Sequence, residues 1–170
     1  DRGPNLGWYQ GPTLLQVLET VDVAQTLADA PFRFPVQYVA RPIAGGTRGY
    51  MGRVESGSIA VGDRVTALPS GRTTRVREIR GTDGTEESAG LHAGITLTLA
   101  DELDIGRGDM LVREYSTPVT TTAVDATICW LSETAFDPRR KYLLRHTTRE
   151  VRARIDRIDH RWNVSTQQRE

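Results

Sequence analysis

The sequence predicts an all-β protein, with a small closed barrel or sandwich, then a second β unit of few strands, and one short helix near the N-terminus. Three observations predict it. Short apolar or alternating runs recur at close spacing from Phe34 to Val112. Gly, Pro and Asp turns separate those runs. The clearest helical periodicity lies near the start of the chain, with no second helical stripe beside it.

That stripe is Leu14, Leu15, Leu18 and Val21, inside Pro12–Val21, with Pro12 where a first-turn proline is tolerated. Asp1 to Gly11 reads as a loop and Asp22 to Pro31 as a linker. Phe34, Val36 and Tyr38 then alternate with Pro35, Gln37 and Val39, a strand wetter on one face. Arg41-Pro42 with Gly45-Gly46 breaks it. Tyr50–Glu55 is the next strand, Ser56-Gly57 turns it, Ile59 and Val61 follow, and Gly62-Asp63 turns again. Arg64–Leu68 is a strand ended by a Pro69-Ser70-Gly71 turn. Thr73–Arg80 sets Thr74, Val76 and Glu78 against Arg75 and Arg77, with Ile79 closing. Gly81–Gly90 reads as polar loop, Ile95–Leu99 as a strong strand, Asp101–Gly108 as a charged turn and Met110–Val112 as the closing strand. After a Ser116-Thr117-Pro118 linker, Val124–Leu131 opens a second β unit, continued by Tyr142–His146 and Val151–Ile158. That unit has few strands and needs a partner or further chain to finish its core. The expected organisation is residues 1–30, 31–115 and 116–170.

The 170 residues carry 22 Lys and Arg against 22 Asp and Glu, so no global field favours a polyanion and nucleic-acid binding is disfavoured. No apolar run has the length of a membrane span, and no signal segment opens the chain, which leads to the expectation of a cytoplasmic protein. The single Cys129 forms no internal disulfide, and beside Trp130 in an apolar run it reads as core. His92, His146 and His160 lack metal-ligand spacing. Asp101, Glu102, Asp104 and Asp109 do not follow the EF-hand pattern; a turn is the expected reading, with Asp109 bonding local N–H groups. Arg75 with Arg77, and Arg139-Arg140-Lys141, read as solvated faces. Phosphate-loop and dinucleotide-binding glycine motifs are absent. No catalytic, cofactor-binding or metal residue is therefore expected in this chain.

Arg48–Asp63 resembles the second domain of the translation-factor GTPases, on Gly52-x-Val54-x-Ser56-Gly57 and Gly62-Asp63, where Gly57 and Gly62 permit sharp barrel corners. Arg107-Gly108-Asp109-Met110-Leu111 is similar to the motif that closes the same barrel. Within that superfamily the chain resembles the GTPase subunit of sulfate adenylyltransferase. The residues are Phe32–Val39, Arg41-Pro42, Arg48-Gly49-Tyr50, Leu68–Arg72 and the run Leu97–Asp109. Trp8-Tyr9 and Gly11–Leu15 are similar to the last helix of its GTPase domain, and Tyr142–Arg149 to the start of its third domain. His92 stands where that family has a glycine, and Gly45-Gly46-Thr47 replaces a more apolar approach.

The resemblance implies a translation-factor-type barrel (domain two) and part of a third domain, after a remnant of the GTPase domain. It implies a parent complex that makes adenosine 5′-phosphosulfate from ATP and sulfate, driven by GTP hydrolysis. Adenylyl transfer would belong to a separate, smaller catalytic subunit, which is then the expected partner together with the chain's own GTPase domain. GTP and magnesium would belong to that GTPase domain, whose motifs are absent here. Two other readings are a translation-factor-like barrel that binds tRNA or other RNA through Arg48, Arg53, Arg64, Arg72, Arg75 and Arg77, and a free-standing interaction module. Glu55, Asp63 and Glu78 interleave with those arginines, and the Asp101–Asp109 signature favours the sulfate branch.

Overall fold

A computed structural model describes residues 7–21, 27–41, 46–163, 165–166 and 168–169. Parts of the expected N-terminal loop, the linker and the Arg41–Gly46 break (residues 1–6, 22–26 and 42–45) lie outside the described residues.

The helix α1 spans Leu14–Thr20, shorter than the apolar stripe. Thr13 caps it, accepting from the Gln16 backbone N–H, while Gln16 reaches back to the Thr13 N–H. This reciprocal pair satisfies two otherwise orphaned donors. Pro12 therefore precedes the cap instead of occupying the first turn. Leu14, Leu15 and Leu18 are all exposed, and no residue of the helix is buried.

The barrel follows. Its strands are β1 (Arg33–Ala40), β2 (Gly49–Arg53), β3 (Ile59–Ala60), β4 (Arg64–Leu68), β5 (Arg72–Arg80), β6 (Thr85–Glu86), β7 (Ser88–Ala89), β8 (Gly94–Leu99) and β9 (Met110–Arg113). The main sheet runs β4-β9-β1-β2-β8-β5-β6, and β4 also pairs with β5. That extra pairing closes six strands into a ring, all antiparallel. Closure removes the unpaired edges that an open sheet presents. Phe32, Phe34, Val36, Tyr50, Val65, Val76, Ile79, Leu97, Leu99 and Leu111 fill the interior. Each such side chain contributes about 1.5–3 kcal/mol when fully buried.

Two bulges change the expected side-chain phase. The β1–β2 register shifts between Val36 and Tyr38, so Tyr38 is exposed and Val39 packs on the core, the reverse of strict alternation. The β5–β8 register shifts between Val76 and Glu78, so Ile79 and not Glu78 is the core residue. An extra residue in one strand flips every side chain after it to the other face. Gly81–Gly90 is also more ordered than expected: β6 pairs with the end of β5, and β7 pairs with β3, burying Ala89.

Beyond the barrel, Glu114–Ser116 forms a 3-10 turn. The expected strand at Val124–Leu131 is not formed; this stretch has no regular secondary structure, is exposed and pairs in no ladder. Cys129, expected in the core, is exposed with it. An apolar run becomes a strand only when a neighbour supplies its ladder, and no described strand lies alongside. A hairpin of β10 (Lys141–His146) and β11 (Arg149–Arg154) is present in full register. A small pair, β12 (Trp162–Asn163) with β13 (Gln168–Arg169), follows. Trp130, Phe136 and Tyr142 form a small aromatic cluster, with Trp130 edge-on to the other two at 5.2 and 5.6 Å between centroids. Among the described residues no helix is long and apolar enough to cross a membrane.

Candidate functional site

Two of the glycine corners that carry the sequence motifs are places where the flanking chain attaches to the barrel. The first is Ser56-Gly57. The Arg33 N–H donates to the Ser56 carbonyl at 3.0 Å, and Glu55 N–H to the Arg33 carbonyl at 2.9 Å. The Ser56 hydroxyl donates to the Pro31 carbonyl at 2.6 Å, and the Gly57 N–H to the Leu27 carbonyl at 2.8 Å. The end of the expected linker is therefore seated on this corner. Gly57 has φ +68, and a Cβ there would lie 2.5 Å from the Ala30 carbonyl oxygen. Both the left-handed backbone and the close approach demand glycine.

The second is Arg107-Gly108-Asp109, against the β1 bulge. The Val36 N–H donates to the Asp109 carbonyl at 2.9 Å, and the Gly108 N–H to the Val36 carbonyl at 3.1 Å. Arg107 Nη1 donates to the Gln37 carbonyl at 2.8 Å. Asp109 Oδ2 accepts from the Gly106 N–H at 2.9 Å, the local backbone bond expected of it. The turn of the β10–β11 hairpin rests on this corner. Thr148 Oγ1 donates to the same Val36 carbonyl at 2.9 Å, and Arg149 Nη1 lies 3.7 Å from Asp109 Oδ1. Gly108 has φ +98, and a Cβ there would touch Arg149 Cα and the Thr148 carbonyl at 3.5 Å.

The remaining sequence candidates are dispersed. Asp101 Oδ2 accepts from the buried Thr74 hydroxyl at 2.8 Å, while Thr74 Oγ1 accepts from the Asp101 N–H. Glu102 and Asp104 are exposed. Among the described residues no group of three or more His, Cys, Asp or Glu could hold a metal ion. His146 and His160 are exposed and far along the chain from His92. His92 has φ +69, so the backbone there takes the conformation that a glycine adopts freely, and its ring nitrogen Nδ1 meets Arg53 Nη2.

The arginines considered for RNA are largely engaged within the barrel. Arg64 Nε lies 2.9 Å from Glu114 Oε2, although that oxygen has no well-aligned hydrogen bond. Arg75 donates to the Gly62 carbonyl, Arg77 to Thr47 and Arg48 to the Leu103 carbonyl. Buried Tyr50 also donates to the Leu103 carbonyl, at 3.0 Å. Burial pushes its phenol above the ordinary value, with Glu102 adding to the effect and Arg48 opposing it. Thr148 and the Val36 carbonyl were not legible as a site. Nothing local in the Tyr142–Arg149 run marks which carbonyl the Thr148 hydroxyl reaches.

Residues 50–112 match the family described as elongation factor Tu domain 2, and residues 123–170 the one described as GTP-eEF1A C-terminal domain-like. The chain is similar to Vibrio parahaemolyticus sulfate adenylyltransferase subunit 1, at 42% identity over 97% of this chain and 34% of that protein. The same subunit from Aliivibrio fischeri is 44% identical over 95% of this chain and 34% of its own length. The Mycobacterium tuberculosis bifunctional enzyme CysN/CysC is 44% identical over 96% of this chain and 27% of that protein. The chain thus spans about a third or less of the relatives it matches. In fold it is similar to Sup35 complexed with GMPPNP (TM-score 0.68, 20% identity, 96% of this chain and 40% of that one). It is also similar to the bacterial selenocysteine-specific elongation factor EF-Sec (TM-score 0.64, 22% identity, 85% of this chain and 24% of that one). Over the length it spans, the chain is homologous to sulfate adenylyltransferase subunit 1, with an elongation factor Tu domain 2 barrel at its centre and a fold shared with Sup35.

Proposed function

We propose that this chain is the non-catalytic barrel region of the GTPase subunit of a sulfate adenylyltransferase. In that assembly GTP hydrolysis is coupled to formation of adenosine 5′-phosphosulfate from ATP and sulfate. Identity of 42% over 97% of the chain to a protein named sulfate adenylyltransferase subunit 1 carries this reading. The barrel supports it physically. It is a closed, filled ring with chain seated on two corners, suited to moving as one body against a partner. The partners are then the smaller catalytic subunit and the GTPase domain of the same subunit, in the cytoplasm. GTP and its magnesium would be held by the GTPase domain, since the sequence of this chain has no phosphate-loop motif. No step of the reaction is assigned to this chain.

A chimera tests it. This chain replaces the matching segment of the Vibrio parahaemolyticus subunit, which is expressed with its smaller partner subunit. The expected result is GTP-dependent formation of adenosine 5′-phosphosulfate by the chimera, and no GTP turnover by the chain alone. GTP turnover by the isolated chain, or a folded chimera that fails to support product formation, would overturn the proposal.

A further inference from the structure

The β10–β11 hairpin has two unlike faces. Tyr142 and Leu144, opposite Ala153 and Val151, make one face, joined to Trp130 and Phe136 through the aromatic cluster. The other face carries Lys141, Leu143 and Arg145 on β10, opposite Arg154, Arg152 and Glu150 on β11. Lys141 and Arg154 are direct cross-strand partners, and Arg152 stands diagonal to Lys141 on the same face. Like charges placed directly opposite in a ladder repel and weaken it. Arg139 and Arg140, both exposed, add two cations immediately before Lys141.

Two carboxylates stand nearby. Glu150 is engaged by Arg145 at the turn end of the hairpin. Asp156 lies 3.7 Å from Arg154, and its side chain is 90% exposed, a geometry of little strength in water. Lys141 and Arg152 have no ion-pair partner among the described residues. Lys141, Arg152 and Arg154, with Ala153 between the two arginines in the chain, line a shallow depression of about 200 Å³. Leu143, 65% exposed, sits at the centre of the face opposite Arg152.

We infer that this face docks an acidic segment of a partner protein, with one Asp or Glu carboxylate entering the depression and apolar contact made at Leu143. An apolar centre bordered by cations at the end of the face away from the Arg145–Glu150 pair is the layout of a protein interface, where arginine is enriched and opposite charge sets the partner and its register. The six cross-strand positions of the face hold no aromatic ring. Base stacking, on which single-stranded nucleic acid binding depends, is therefore not provided for. The chain's overall neutrality makes this a local patch and not a general polyanion surface. The inference stands on the charge pattern, whatever reaction the assembly performs, so failure of the chimera above would leave it intact.

The test is fluorescence polarisation of the full chain with a fluorescein-labelled peptide of Glu and Leu. A Gln and Leu peptide of the same length and a single-stranded RNA oligonucleotide serve as comparisons. The acidic peptide is expected to bind in preference to both and to weaken as salt is raised. Arg152→Glu is expected to weaken it about tenfold or more, and the charge-neutral Lys141→Gln to weaken it about threefold. Arg72→Glu, the same reversal on the barrel, is expected to leave binding unchanged. Equal binding of the Gln peptide, equal loss from Arg72→Glu, or no loss from either hairpin variant would overturn the inference. Tighter binding of the RNA would overturn it in favour of a nucleic-acid partner.

Discussion

The barrel and the C-terminal segment are built from the same kinds of residue, yet only one of them buries anything. Every described buried residue lies between Phe32 and Val112, and none lies beyond. Leu97 and Leu99 on β8 are fully buried, whereas Leu143 and Leu144 on β10 are 65% and 47% exposed. Side-chain chemistry does not separate them. What separates them is closure. In the ring each inward side chain is covered by strands on both sides and by those across the barrel. In the hairpin a side chain has one cross-strand neighbour and, on one face, the rings of Trp130 and Phe136. Burial is thus a property of topology, and apolar composition only makes it possible.

Removing a large apolar side chain from each region gives the largest contrast. Phe34→Ala in the barrel is expected to cost about 3–5 kcal/mol, and Leu143→Ala in the hairpin to stay within about 0.5 kcal/mol, both read from urea unfolding. Similar losses at the two positions would break the comparison.

A smaller effect concerns charge inside the ring. Tyr50→Phe removes the hydrogen bond to the Leu103 carbonyl and is expected to cost about 1–3 kcal/mol near neutral pH. It should also change the alkaline limb of stability. The Tyr50 phenol is raised above its ordinary 10.0 chiefly by burial, so the folded state holds its proton where the unfolded chain has lost it. Stability from this group is fully present below pH 10.0 and falls as pH rises from there through the folded value. Thermal melts across that window should show a shallower alkaline decline in the phenylalanine variant. An unchanged decline would place the effect elsewhere.

The smallest effect lies between the two regions. Thr148→Val deletes one hydrogen bond to the Val36 carbonyl, worth about 1 kcal/mol. Hydrogen exchange should quicken in the β10–β11 turn while the barrel amides stay protected. Loss of protection inside the barrel would show that the two regions unfold together.

Sequence reasoning reached the barrel because its signals are local. Turn residues, alternation and the Ser56-Gly57 and Gly62-Asp63 corners each report on a few neighbours. It misplaced Tyr38 and Glu78 because a bulge leaves no composition mark; only the partner strand shows that one residue is unpaired. It placed a strand at Val124–Leu131 and Cys129 in a core because apolar patterning does not state whether a partner is alongside. The left-handed backbone at His92 was visible only as a departure from a glycine pattern. The seat of Thr148 on Val36 joins residues 112 positions apart, a distance over which no local pattern carries information.

Both seats converge on one strand. The incoming chain is tied to the corner that bonds Arg33, at the start of β1, and the hairpin is tied to Val36 in its middle. Between them β1 is laced to β9 through Arg33, Phe34 and Pro35, and at Val36 it is laced to β2. A pull applied between the two flanks of the molecule therefore runs along β1 as through a tie rod. Neighbouring ladders then carry the load together in shear, instead of parting one bond at a time from an end. A tug between the barrel's attachments thus meets the strand that two neighbouring ladders hold at once.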